Sequence, residues 1–198
     1  MRIETSWDDA RLPDLRLVAL LRKHRLPAVF YIPSNCELEE NDIRDLAETF
    51  EIGGHTVNHP QDLKLLSDEQ LDYEIGENKR WLEELIGHPI TKFCYPRGRY
   101  DDRVVEAVKR AGFTEARTVT IGCTTLPDDP FRRGTSVHTY NRQEYNGLPW
   151  PEYARQKFQE AKIGGYFHLW GHSWEFEKYD GWEELEKLFE YINENLDA

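Results

Sequence analysis

Short apolar runs alternate along this chain with stretches whose apolar residues recur at helical spacing. Residues 2 to 7 read as a first strand. Asp14 can cap a helix that carries Leu17, Val18, Leu20 and Leu21 on its buried side, and Pro27 ends that unit. Ala28 to Ile32, the run A-V-F-Y-I, is a buried strand closed by Pro33. A helix around residues 42 to 49 leads to a short strand near Glu51 and Ile52. Ser67 and Gln70 make a capping box for the longest helix, with Leu71, Ile75, Leu82, Leu85 and Ile86 at core spacing. The strand K-F-C-Y-P over 92 to 96 follows, then a helix from Asp101 or Asp102 to a C-cap at Gly112. Strands near 113 to 119 and 134 to 139 bracket the loop L-P-D-D-P-F. A helix over 150 to 162 precedes the strand G-Y-F-H-L-W from Gly165. The last helix, from about Asp180, buries Trp182, Leu185, Leu188, Phe189 and Ile192.

Alternation of this kind builds a parallel sheet, open or closed into a barrel. The expected fold class is α/β, a closed or nearly closed (β/α) barrel of about seven parallel strands, slightly smaller than the usual eightfold one. No fixed-period repeat, low-complexity tract or linker divides residues 1–198, which predicts a single domain. In such folds chemistry collects on the loops after the strand C-termini. Four polar motifs fall there: Asp8-Asp9, His55 with His59, the segment after Pro96, and the segment around His172.

Composition narrows the partners. Hydrophobic content of 39% with 13% aromatics is that of a globular chain, despite 31% charged residues. A formal net charge of -12 argues against nucleic acid and anionic membrane surfaces. Runs such as Glu83-Glu84 and Glu183-Glu184 read as solvated helix faces. Cys36, Cys94 and Cys123 are scattered, with no C-x-x-C spacing and no disulfide framework. The chain runs straight from Met1 to Asp8 with no room for a secretory signal, and no apolar run approaches a membrane span. A cytoplasmic setting is the expectation.

The chemistry lies in T-S-W-D-D-A, with adjacent Asp8 and Asp9, and in G-G-H-T-V-N-H-P, with His55 and His59. One carboxylate and two imidazoles form a ligand set for a divalent metal that leaves positions open for water and substrate. The spare carboxylate beside the ligand is where a general base would sit. Either half alone is weak: adjacent aspartates usually cap a helix, and H-x-x-x-H lacks the glutamate of the zinc-protease motif. Gly53-Gly54 and Pro60 suggest a constrained loop, with glycine backbone freedom swinging both rings inward. Two histidines and a carboxylate also describe non-haem iron oxygenases, whose antiparallel barrel does not suit this strand-helix alternation.

These residues resemble the NodB-homology polysaccharide deacetylases, and the likeness spans nearly the whole chain. T-S-W-D-D-A at 5 to 10 is similar to the family's Thr-Phe-Asp-Asp-Gly, and H-T-V-N-H-P at 55 to 60 matches its His-Ser/Thr-x-x-His-Pro. F-C-Y-P-R-G at 93 to 98 corresponds to Phe-Arg-x-Pro-Tyr-Gly, and G-Y-F-H-L-W-G-H-S at 165 to 173 to the final strand that ends in a histidine. The resemblance implies a distorted (β/α) barrel that removes N- or O-acetyl groups from sugars with one divalent metal, often zinc, with cobalt, nickel or manganese as alternatives. Asp9, His55 and His59 would hold the metal. Asp8 would be the base for the attacking water, and the backbone N–H near Arg97 would help to stabilise the oxyanion. Of His168 and His172, which face the same way on a strand, His172 is nearer the C-terminal end and is the expected general acid; His168 is expected to be structural.

The chain also departs from the family. Cys94 sits where many relatives carry the arginine that orients the catalytic aspartate, leaving Arg97, Arg99 or Arg133 as substitutes. Ala10 replaces a glycine. The family's Asp-x-x-Trp is missing between 119 and 160, and Asp128 or His138 would partner the acid. Tyr95 and Tyr100 near the third motif, Trp150 and Trp174 are the candidate sugar platforms, while Trp7 and Trp170 are expected to pack. The expected substrate is a small soluble carbohydrate or sugar conjugate; the oligomeric state stays open. The rival readings are a same-fold hydrolase of a non-sugar C–N bond, such as a cyclic amide or ureide, and a catalytically silent sugar-binding module.

Overall fold

In the structure, a computed structural model describing residues 1–196, the apolar runs become seven parallel strands: β1 (Arg2–Asp8), β2 (Ala28–Ile32), β3 (Glu51–Gly54), β4 (Lys92–Cys94), β5 (Glu115–Arg117), β6 (Val137–His138) and β7 (Tyr166–Gly171). Their order is β5-β4-β3-β2-β1-β7-β6. The two edges are joined by the segment that leads into β6. Arg133 makes a parallel bridge to Arg117, its N–H donating to the Ala116 carbonyl and its carbonyl accepting from Thr118 N–H. Three residues on, Ser136 N–H donates to the His168 carbonyl of β7 at 2.9 Å. The sheet thereby curls into the distorted barrel that the alternation predicts, in one domain. Residues 197 and 198, the last two of the expected 1–198 unit, lie outside the described residues.

Helices α1 (Asp14–His24), α2 (Glu40–Ala47), α3 (Asp68–Asp72), α4 (Asn78–Ile86), α5 (Asp102–Arg110), α6 (Trp150–Gly164), α7 (Ser173–Tyr179) and α8 (Trp182–Asn195) follow their apolar stripes. On α8 the five expected residues, Trp182 to Ile192, are all buried, while Glu183 and Glu190 are exposed. At roughly 1.5–3 kcal/mol per large apolar side chain, that stripe docks a helix whose other face is acidic. Among the described residues no helix is long and apolar enough to cross a membrane.

Several expectations need correction. Asp14 is the first residue of α1 and not its cap; its buried carboxylate accepts the Arg11 N–H at 3.1 Å. The Ser67–Gln70 capping box is present, but the long helix it starts is interrupted by a π turn, Tyr73–Glu77, between α3 and α4. α7 fills the segment between β7 and α8, for which no element was expected. Helix α7 was hidden because S-W-E-F-E-K-Y buries Ser173, Glu175 and Phe176, a stripe with one large apolar member.

Candidate active site

All four polar motifs arrive at the C-terminal ends of the strands. Asp8 is the last residue of β1, His55 follows β3, Cys94 ends β4 and His172 follows β7. The loops turn sharply there, with left-handed backbones at Asp9 (φ 82°), Ala10 (50°), Thr56 (70°) and His59 (50°). Such torsions cost on the order of 1–3 kcal/mol each for non-glycine residues and persist where the surroundings impose them. Here the His59 N–H donates to Thr56 Oγ1 at 3.1 Å, and the Asn58 N–H and side-chain amide donate to Glu74 at 2.8 and 2.7 Å. Glu74 lies in the π turn, and Asn78 opens α4 just beyond it. Asn78 Oδ1 accepts the His55 N–H at 2.9 Å, and its Nδ2 donates to Ile32 O and Ser34 Oγ, both at 3.0 Å. The π turn and the start of α4 thus each present one polar side chain to the histidine loop.

Gly53 and Gly54 serve a purpose other than the expected backbone freedom, since neither has positive φ. A Cβ on Gly53 would sit 2.5 Å from the Tyr31 ring, and one on Gly54 would sit 2.7 Å from Phe113. They provide room. The twists fall instead on Thr56 and His59.

Asp9, His55 and His59 converge. His55 Nε2 is 3.8 Å and His59 Nε2 is 3.6 Å from Asp9 Oδ1, too long for hydrogen bonds. Ligand atoms around a tetrahedral ion with bonds of about 2.1 Å stand roughly 3.4 Å apart, close to this spacing. His55 Nδ1 donates to the Cys94 carbonyl at 2.8 Å, which turns the Nε2 lone pair toward Asp9. Burial holds the His55 pKa down to about 4, so that lone pair is available at neutral pH. The three residues fit a divalent cation.

Asp8 is buried and ion-paired with Arg117 of β5. Burial alone would raise its pKa, but Arg117, then His55 and His172, outweigh that and hold it at about 2. The Arg117 guanidinium lies over the Trp170 ring at 4.5 Å and the Tyr31 ring at 5.2 Å, and its Nε and Nη1 have no hydrogen-bond partner among the described residues. Cys94 and Arg117 are register partners on adjacent strands. The guanidinium missing at position 94 therefore comes from the same level of the barrel, one strand over. Cys94 Sγ is 3.7 Å from Asp8 Oδ2 and leaves space for it. The expected substitutes are engaged elsewhere or free: Arg133 pairs with Glu115 and Arg99 donates to Gln61 O, while Arg97 lines the cleft.

His172 stands across the cleft, its Nε2 3.9 Å from Asp9 Oδ2. Its Nδ1 pairs with Glu175 Oε2 at 3.2 Å, and Glu175 also holds His138 Nε2 at 3.1 Å. Burial lowers the His172 pKa, but Glu175, Asp8 and Asp9 together leave it raised. The partner of the expected acid is therefore Glu175, with His138 reached through it; Asp128 is exposed in its loop. His168 is structural, its ring nitrogens 2.8 Å from Ser6 Oγ and 2.6 Å from Tyr166 OH.

Arg97 and Trp174 line the cleft, which encloses about 290 Å³. Tyr95 does not: it is fully buried, its hydroxyl donates to Phe131 O at 3.0 Å, and it stacks on Tyr100 at 4.4 Å, away from the site. Trp150 is buried against Phe176 at the start of α6. Arg117 and Glu175 were missed, because the first depends on the β4–β5 register and the second on helix α7.

Comparison with known proteins bears on the family and the fold. A family model described as polysaccharide deacetylase matches residues 5–116. A peptidoglycan-N-acetylglucosamine deacetylase of Bacillus cereus is 30% identical over 116 residues, 56% of this chain and 53% of that protein. The chain thus spans about half of that curated relative. Among solved structures, a proposed polysaccharide deacetylase of Mycobacterium smegmatis superposes with TM-score 0.73 at 15% identity, over 96% of this chain and 84% of the other. A carbohydrate esterase family 4 pseudoenzyme of Bacillus anthracis gives 0.68 at 18% identity, over 97% and 60%. At these identities the structures attest the fold.

Proposed function

The chain belongs to the polysaccharide deacetylase family, and on that premise we propose that it is a metal-dependent hydrolase removing N- or O-acetyl groups from a small carbohydrate or sugar conjugate. The observation that carries the proposal is the buried Asp8–Arg117 pair beside the converging Asp9, His55 and His59. A silent sugar-binding module has no use for a carboxylate kept ionised against three ligand-like groups, and burying such a pair is costly.

A divalent cation held by Asp9, His55 and His59, with zinc the first choice for two imidazoles and a carboxylate, supplies polarisation of the acetyl carbonyl and acidification of a water. The chain's own groups do the rest. Asp8 accepts the proton that the attacking water loses, and Arg117 keeps it ionised and oriented. The Arg97 backbone N–H, in the turn at the cleft, is offered to the oxyanion. His172, raised in pKa and aimed across the cleft, gives its proton to the leaving nitrogen as the C–N bond breaks, so that acetate and a free amine result. The unpaired thiols Cys36, Cys94 and Cys123 support a reducing compartment such as the cytoplasm.

The test is acetate release from an N-acetylated chito-oligosaccharide by metal-replete protein, wild type against Asp8→Asn. A loss on the order of a thousandfold is expected, with unchanged metal content and circular dichroism. Acetate release that survives Asp8→Asn would remove the base from the mechanism; release from a ureide and from no acetylated sugar would favour the non-sugar C–N hydrolase.

A further inference from the structure

Beside the catalytic cleft lies a second depression of about 370 Å³, and Asp9, His59, Arg97 and Trp174 border both. Two arginines face it, and they differ. Arg11 is ion-paired with Glu37. Arg97 is exposed, and among the described residues its guanidinium makes no hydrogen bond or ion pair. Its backbone is fixed nonetheless. Arg97 sits at φ 57° in the turn Pro96–Gly98, which the Gly98 N–H closes onto the Tyr95 carbonyl at 2.9 Å. Val119 packs where a Cβ on Gly98 would lie, 2.2 Å away, so the turn is pressed against the wall of the cleft.

The rest of the depression is polar and neutral. Asn35, Asn58 and Gln61 supply amides, and among the described residues no carboxylate other than Asp9 borders it. That is notable on a chain with 37 acidic residues against 25 basic ones. Once Asp9 is committed to a cation, Arg97 sets the sign of the charge at this rim. A guanidinium fork matches a carboxylate or phosphate in two-point geometry.

We propose that this depression is an anion subsite, so that the preferred acetylated sugar carries a carboxylate or a phosphate that Arg97 binds beside the reacting acetyl group. The inference rests on the deacetylase reading and names its substrate class. Asn35, Asn58 and Gln61 add hydrogen bonds to the same group or to neighbouring hydroxyls, and Trp174 gives an apolar face between the two depressions.

Three matched N-acetylglucosamine disaccharides test it: one neutral, one bearing a phosphate ester, one bearing a carboxylate. Wild-type kcat/KM is expected to be at least tenfold higher for one of the two anions, and which one identifies the source of the charge. Arg97→Gln should erase that preference through KM, Arg97→Glu should reverse it, and added salt should shrink it. Equal wild-type rates on all three sugars, or an Arg97→Gln loss that falls equally on all three, overturns the subsite. Calorimetric binding of the three deacetylated products, which are not turned over, separates this from the reaction itself. An anion preference in binding that Arg97→Gln abolishes supports the subsite even if no acetate is released, and equal binding overturns it.

Discussion

At the N-terminal end of the strands Lys92 stands among Glu4, Glu51 and Glu115 at 3.6, 2.5 and 3.4 Å, with Arg133 also on Glu115. At the C-terminal end Asp9, His55 and His59 face one another at 3.6–3.8 Å without hydrogen bonds among them. Both ends hold similar residue types, and each has a histidine: His168 within β7 beside Glu4, and His172 just after the strand. His168 has both ring nitrogens within hydrogen-bond distance of protein hydroxyls. His172 commits Nδ1 to Glu175 and leaves Nε2 facing the cleft. Opposite charges and hydroxyls that pair with one another, as at the first end, hold a fold together even though Arg133 leaves Nε and Nη1 without a partner among the described residues. Groups that converge and remain unsatisfied are arranged for something that arrives from outside, and that contrast separates scaffold from site here.

The sharpest way to break the contrast is at Arg117, which is as buried as any residue of the closed end yet belongs to the open one. Arg117→Met should lower kcat by two to three orders of magnitude, roughly what a positioned base is worth, and cost about 3–5 kcal/mol in a urea melt because Asp8 loses its partner. Since Cys94 and Arg117 are register partners, adding Cys94→Arg should restore part of both. Lys92→Met is the control, expected to lower stability and leave kcat within about twofold. A large kcat loss in Lys92→Met would show that the two ends are not separate.

Glu175→Gln is expected to have a smaller effect, about ten- to a hundredfold in kcat. Glu175 raises the pKa of His172, so its loss should lower that pKa and move the alkaline limb of the rate profile to lower pH, because the acid must be protonated to act. A limb that stays in place would assign the proton to another group.

How far the sequence carries such an argument depends on the kind of signal. The strands and helices were legible because their apolar residues repeat, and the convergence of Asp9, His55 and His59 because they lie in short motifs. That the barrel closes was legible from the same alternation, but not where, since the join at the Arg133–Arg117 bridge has no periodicity. Tyr95 was placed on the wrong side although the information was present. Neighbouring strand residues face opposite ways, so with Cys94 turned toward Asp8, Tyr95 must join Phe93 in the outer layer. Arg117 needed the β4–β5 register, which no local pattern encodes. Glu175 needed α7, whose single large apolar anchor announces no helix.

The smallest effect is expected at the closed end. Burial holds His168 down to about 3, against an ordinary histidine value of about 6.5. As pH falls below about 6.5 the unfolded chain takes up a proton at this ring, and the folded chain does not until about 3. The associated stability is therefore complete above 6.5 and is lost progressively on the way down. Between pH 6.5 and 5 this amounts to on the order of 2 kcal/mol. Urea melts at pH 7 and pH 5 should show that loss in the wild type and a smaller one in His168→Gln, whose amide still bonds Ser6 or Tyr166. Acetate release by the variant at pH 7 should stay within about twofold of wild type, because a ring satisfied by Ser6 and Tyr166 has nothing to offer the cleft. A variant that folds with an unchanged melt but loses activity would make His168 part of the site, and the contrast between His168 and His172 would fail.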